Sequence, residues 1–231
     1  MVRSAIHPRV QMIISDHLKF VFIHNPKCAG TAIRTALLSQ DTTGHLFWMH
    51  DTCNGHRIDK AHLPLFLLRQ RFPAYFERLA EYFTFMAVRN PFARAISAFN
   101  ETHIDLYEAY RTGAAVSRYK DDLNRFFDEL SDDSIAGWQF AFRHFVRQTD
   151  LCYLGDKSHV DVLLRCESLA ADVARVRFFN TRLADLLDGV KPQHRRPVDH
   201  SVTALLNHRS IRKIAALYER DFILLDYSPV P

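Results

Sequence analysis

The stretch Phe20-Val21-Phe22-Ile23-His24-Asn25-Pro26-Lys27-Cys28-Ala29-Gly30-Thr31-Ala32 decides the fold. Its opening residues are apolar on both faces, the pattern of a strand buried in a parallel sheet. The run breaks at Asn25-Pro26, crosses a small-residue loop holding one lysine, and enters Ile33-Arg34-Thr35-Ala36-Leu37-Leu38, which reads as a helix. Strand, loop and helix in that order aim free backbone N–H groups and the positive end of a helix dipole at one point. With Lys27 and the Thr31 hydroxyl added, that point is an anion site suited to phosphate.

The P-loop motif of nucleotide triphosphatases places lysine after its second glycine, with a hydroxyl beside it for Mg²⁺. Here Lys27 precedes Gly30 by three positions and no glycine opens the loop. That order disfavours a metal-dependent kinase. A second segment, Tyr82 to Phe99, repeats the theme. Tyr82–Val88 reads as another buried strand, Asn90 as an N-cap and Pro91 as the first helical residue. Seven helical residues are close to two turns, so Ser97 lies above the helix entry on the side where Arg89 leaves the strand. A guanidinium and a hydroxyl at a strand's carboxyl end form a second phosphate clamp. Two such sites imply one ligand with two separated phosphate-like groups.

These segments resemble the sulfotransferases. Pro26-Lys27-Cys28-Ala29-Gly30-Thr31-Ala32 is similar to their 5′-phosphosulfate loop, P-K-[TC]-[GA]-G-T-[ST]. Arg89-Asn90-Pro91-Phe92-Ala93-Arg94-Ala95-Ile96-Ser97 is similar to their 3′-phosphate motif, R-[DN]-P-x-x-R-x-x-S. Motif order and separation resemble the carbohydrate and polysaccharide branch, the heparan 2-O-sulfotransferase-like "sulfotransferase family 2". Weaker likeness runs through Val162–Leu169 and Ile214–Tyr227. Two positions depart from the pattern. Ala29 replaces a common glycine, a mild change unless φ must be positive, and Ala32 removes one hydroxyl donor.

The resemblance implies 3′-phosphoadenosine-5′-phosphosulfate (PAPS) as co-substrate, adenosine 3′,5′-bisphosphate (PAP) as product, and no metal. The sulfuryl group would pass to a hydroxyl or amine of a carbohydrate-type acceptor. Lys27 would stabilise the leaving oxygen, residues 26–32 would cradle the 5′-phosphate, and Arg89 and Ser97 would hold the 3′-phosphate. Histidine suits the base that takes the acceptor's proton at neutral pH. Among His50, His56 and His62, the resemblance favours His62, which precedes a helix opened by Pro64, with His56 second. A late basic loop, His194-Arg195-Arg196-Pro197, offers Arg195 and Arg196 as further nucleotide contacts.

Arg94 reads equally as a phosphate ligand or as a solvated helix-entry charge; Glu167 reads as a residue that orients acceptor or loop groups or, preferably, as the partner of a nearby arginine. Residues 100–150 form a helical insert rich in Tyr107, Tyr110, Tyr119, Phe126, Phe127, Trp138, Phe140, Phe142 and Phe145. These side chains read as core first, and Arg143 and Arg147 among them would suit an acidic glycan.

With 231 residues, 48% of them hydrophobic, the chain suits one α/β domain spanning 1–231, with no linker or repeat. The expected architecture is a three-layer, P-loop-like fold. Its central parallel sheet holds Lys19–His24, Tyr82–Val88 and Val160–Arg165, with helices on both faces. A net charge of +4 falls short of a nucleic-acid binder. Cys28, Cys53, Cys152 and Cys166 lack metal-ligand spacing and read as free thiols of a reducing compartment. No signal peptide or membrane span is visible, whereas Golgi relatives carry an amino-terminal anchor; the expectation is a cytoplasmic, bacterial protein, the alternative being a chain from which such an anchor has been removed. A nucleotide or small-molecule kinase and a catalytically silent phosphonucleotide-binding module remain the rival functions.

Overall fold

The computed structural model describes residues 12–48, 50–53, 55–136, 139–190 and 201–231. Strands β1 (Ile13–Ser15) and β2 (Phe20–Ile23) lead into helix α1 (Gly30–Leu37). A small hairpin of β3 (His50–Cys53) and β4 (His56–Asp59) follows, then α2 (Leu65–Arg71), α3 (Pro73–Glu81) and β5 (Phe83–Val88). A helical stretch comprises α4 (Pro91–Thr102), α5 (Ile104–Arg111), α6 (Val116–Glu129), α7 (Asp132–Ile135) and α8 (Gln148–Cys152). The short pair β6 (Tyr153–Leu154) and β7 (Lys157–Ser158) precedes β8 (Val162–Arg165), α9 (Leu169–Val176) and α10 (Thr181–Leu187). Helices α11 (Val202–Leu205), α12 (His208–Leu217) and α13 (Glu219–Leu224) close the chain.

The main sheet has the order β1-β2-β5-β8. Strands β2, β5 and β8 run parallel, Phe22 opposite Phe85 and Ala87 opposite Leu164. Alternate side chains point to opposite faces. Phe20, Phe22, Phe85 and Ala87 pack into one core with residues of α1, α9 and α10. Val21, Ile23, Met86 and Val88 pack into another with α2, α3 and α8. Burial on both faces is why these strands read as unbroken apolar runs. The result is a mixed α/β fold with a mostly parallel central sheet.

The sheet is not wholly parallel, which corrects the expectation. Strand β1 pairs antiparallel with β2, Ile14 opposite Val21, through a turn in which Lys19 has φ 51°. Three residues, two of them apolar, beside a charged turn are too few for a periodicity to register.

A third core joins α4, α5, α6, α12 and α13. Tyr107, Tyr110, Tyr119, Phe127 and Phe145 are buried in it, with Phe126 and Phe142 partly buried against it. Most of the aromatic insert is core here, as expected; Phe140 stands outside the cluster, and Trp138 lies outside the described residues. No helix among the described residues is long and apolar enough to cross a membrane.

Candidate active site

The parallel strands deliver three loops side by side at their carboxyl ends, after β2, β5 and β8. In the first, Lys27 (φ 65°) and Ala29 (φ 55°) are left-handed, and Ala29 is the N-cap of α1 with no side-chain cap. Left-handed residues followed by right-handed ones turn successive N–H groups into one concavity, a nest for an anion. Among the described residues, the backbone N–H groups of Lys27 to Thr31 donate to no other group. An anion would complete them.

The replacement at position 29 is therefore less mild than its sequence suggests. Positive φ strains any residue with a Cβ by about 1–2 kcal/mol. Gly30 is required for a different reason. A Cβ placed there would lie 1.7 Å from His24 Nε2, so only glycine lets that imidazole rest on the start of α1.

Arg89 leaves β5 with its Nη1 3.5 Å from the Lys27 carbonyl, which brings the two phosphate motifs together. Gln148, fully buried at the start of α8, fixes the junction. Its Nε2 donates to the Arg89 carbonyl (2.9 Å), and its Oε1 accepts from the Arg89 N–H (3.0 Å), Asn25 Nδ2 (2.8 Å) and the Cys28 thiol (3.4 Å). Asp221, also buried, accepts from the N–H groups of Gln148 (3.0 Å) and Thr149 (2.9 Å) and so seats α8. Asn90 caps α4 as expected, accepting from Phe92 (3.0 Å) and Ala93 (3.3 Å). Ser97 stands half-buried further along α4. Lys27 Nζ lies 3.0 Å from the carboxylate of Glu101 on the same helix.

Three histidines gather behind the nest. His62 ends a 3₁₀ turn, Lys60–His62, whose Asp59 cap accepts from the Ala61 N–H at 2.9 Å. Its Nδ1 is 3.1 Å from the His24 carbonyl and 3.0 Å from His24 Nδ1. Both contacts are satisfied when His62 Nδ1 carries the proton and shares it, with His24 protonated on Nε2. The lone pair of His62 Nε2 is then free to accept a proton. The His144 ring lies 5.5 Å from that of His62. Burial pushes the pKa of all three down, His24 well below the ordinary range and His144 to about 2. Nearby cationic charge adds to this at His24 and His144, whereas Asp59 partly opposes it at His62. All three rings are neutral at pH 7.

A cleft beside His62 is lined by Ile58, Asp59, Gln139, Phe140 and Arg143. Arg143 lies 3.4 Å from Asp59, and its guanidinium sits 4.3 Å from the centre of the Phe140 ring. Arg147 turns away, donating to the Leu217 carbonyl (2.9 Å) and pairing with Asp132.

Two expectations change. Arg94 is neither solvated nor a phosphate ligand. It is fully buried, donates to the carbonyls of His144 (3.1 Å) and Val146 (2.7 Å), and faces the Tyr218 ring at 5.3 Å. Its work is to hold the segment that carries His144. Glu167 accepts from the Asn90 N–H (2.8 Å) and the Tyr227 hydroxyl (3.0 Å) rather than from the preferred arginine, so it orients a loop group, the other reading given for it. Of the remaining candidates, Arg195 and Arg196 lie outside the described residues, as does the side chain of His56 on β4. Cys28, Cys152 and Cys166 are free thiols.

The Sulfotransferase family model matches residues 10–228 of the chain. The chain belongs to that family. Its general chemistry is accordingly transfer of a sulfuryl group to a hydroxyl-bearing acceptor. No curated protein and no solved structure matches it.

Sequence reading missed His24, His144, Gln148 and Arg34. His24 adjoins the loop and was open to notice as a polar residue closing an apolar strand. Arg34 is a charge on the otherwise apolar stripe Gly30, Ile33, Leu37 of α1, which spacing alone reveals. Gln148 carries no such signal, because its partners lie 59 to 123 residues away.

Proposed function

We propose that this sulfotransferase uses PAPS, without a metal, to sulfate a hydroxyl of a carbohydrate-type acceptor, on a P-loop-like α/β scaffold. What supports the reading most is the joining of the two motif loops: the nest at residues 27–31 lies against Arg89, with Gln148 bonded to both. In this reading the nest formed by residues 26–32 and Lys27 bind the 5′-phosphate, and Arg89 and Ser97 bind the 3′-phosphate. His62 is the base.

The S–O bond to the 5′-phosphate breaks, and its electron pair leaves on the bisphosphate. The acceptor oxygen forms the new S–O bond, and its proton passes to His62 Nε2. Lys27 neutralises charge growing on the leaving oxygen, and in doing so exchanges Glu101 for phosphate. Catalysis then rests on position and prearranged charge. The cleft lined by Phe140 and Arg143 is the proposed acceptor entrance, where an arginine on an aromatic ring suits a sugar bearing an acidic group.

Thermal shift with PAP in the absence of Mg²⁺ tests this. At a concentration near 100 times Kd, binding stabilises the fold by about 2.7 kcal/mol, roughly 5–10 °C for a chain of this size. Arg89→Ala should abolish most of that shift. A larger shift with Mg-ATP than with PAP would overturn the reading in favour of a kinase.

A further inference from the structure

A buried charge with no counter-charge calls for a ligand, and α1 contains one. Arg34 is 5 % exposed, and its Nε has no hydrogen-bond partner. Among the described residues no carboxylate or carbonyl meets its guanidinium, and burial lowers its pKa with no opposing charge. An ionised group in such a setting is among the costlier arrangements a fold can hold. Lys27 has Glu101 and Arg143 has Asp59; Arg94 also has an unpartnered Nε, but both of its Nη atoms donate to carbonyls, whereas among the described residues no such bond serves Arg34.

Its place in the helix says what it is for. Arg34 follows Gly30 by one turn on the same stripe, and Gly30 is the residue against which His24 rests. Helical side chains lean toward the amino terminus, so the guanidinium reaches back toward the loop and His24. Its charge is also one of those felt at the His24 ring. Arg34 does not line the cleft of Phe140 and Arg143, which separates it from the acceptor's own substituents. In the reading above, the nest and Lys27 take the 5′-phosphate, and the group beyond it must approach neutral histidines that bring no positive charge.

We propose that Arg34 binds the oxygens of the transferring sulfuryl group. This rests on the PAPS reading. The sulfuryl group keeps its negative charge while its bond to the 5′-phosphate oxygen breaks and that to the acceptor oxygen forms. A guanidinium fork holding two of its oxygens steadies it throughout. PAP, which lacks the sulfuryl group, does not engage Arg34.

Arg34→Gln and Arg34→Lys, compared with wild type, supply the test. Ligand-free Arg34→Gln should melt at or above wild type, because an uncompensated charge has been removed. Its thermal shift with PAP should persist, its preference for PAPS over PAP should vanish, and kcat should fall by about 10²–10³. Arg34→Lys should restore part of the preference. Unchanged preference for PAPS with a lower melting point would make Arg34 merely structural and overturn the assignment. Loss of the PAP shift would assign it to a phosphate and overturn it equally. Wild type that responds to neither nucleotide would instead overturn the PAPS reading, and this assignment with it.

Discussion

Gln148→Leu is the sharpest perturbation of the site's geometry. Leucine keeps nearly the volume of glutamine, so the core around α8 stays filled. What disappears is one donor and one acceptor that serve four groups: the Arg89 N–H and carbonyl, Asn25 Nδ2 and the Cys28 thiol. Asn25 Nδ2 retains the Ala87 carbonyl at 2.9 Å, and the thiol is a weak donor. The loss therefore falls on the two backbone groups of Arg89, at about 1–3 kcal/mol for each left unpaired. Arg89 is half-buried, and water will recover part of this. A net cost of about 3 kcal/mol follows, which lowers the melting point of a chain this size by roughly 6–12 °C. The two phosphate-binding loops also lose their common anchor, so the shift produced by PAP should shrink with the stability. Chemical unfolding and thermal shift with PAP measure both. A cost under about 1 kcal/mol with an intact PAP shift would refute the claim that Gln148 sets the spacing of the two motifs.

Ala29→Gly should stabilise the ligand-free protein: relief of about 1–2 kcal/mol of left-handed strain exceeds the added chain entropy of glycine, about 0.5–1 kcal/mol. A melting point that falls would contradict the φ of 55°. Gly30→Ala should cost about 1–3 kcal/mol by overpacking and push His24 off its seat, depressing turnover far more than PAP binding; equal losses in both would show that the His24 contact has no part in the reaction. Acid should unfold the protein early. Above the ordinary histidine pKa of about 6.5 the three rings are neutral whether folded or not, so they contribute no pH dependence. Below it the unfolded chain binds protons that the folded His24, His62 and His144, and the half-buried His159, hold less well, and stability falls as pH drops. Asp150 opposes this, since burial raises its carboxyl to about 6 and the folded state takes up a proton there. The lowered rings outnumber the one raised carboxyl, so the unfolded chain is the net binder of protons and stability falls as the pH drops below about 6. Urea unfolding at pH 7.5, 6 and 5 measures the slope, and a flat profile would mean the histidines ionise in place.

The sheet and both motifs were legible because local chemistry writes them. Runs such as Phe20–Ile23 and Phe83–Val88 are buried on two faces and need no partner to be recognised. Asn90-Pro91 announces a helix start in two residues. The left-handed conformation of Ala29 was not legible, because alanine advertises no φ. Arg94 was misjudged and the preferred reading of Glu167 failed for a related reason. Arg94 falls where the 3′-phosphate motif puts charge, but its burial, like the backbone contact of Glu167, depends on residues 50 to 77 positions away. His24 shows the intermediate case. It stands inside the most readable stretch of the chain, yet its role appears only when His62 and Gly30 close on it.

Several costly features of the fold share a location, and the location bears on function. A strained Ala29, an uncapped helix start, an unpaired Arg34 and two buried neutral histidines, His24 and His62, all lie at or against the amino-terminal end of α1. Each one costs the ligand-free fold stability, and nothing in the packing of the three cores requires them there. A fold selected for stability alone would put glycine at 29, a capping side chain before α1 and an apolar residue at 34. Their concentration where an anion nest meets a candidate base is what a site held ready for a charged ligand requires. Binding should therefore relieve several penalties at once. The stabilisation measured with PAPS should accordingly exceed that with PAP by the share belonging to Arg34.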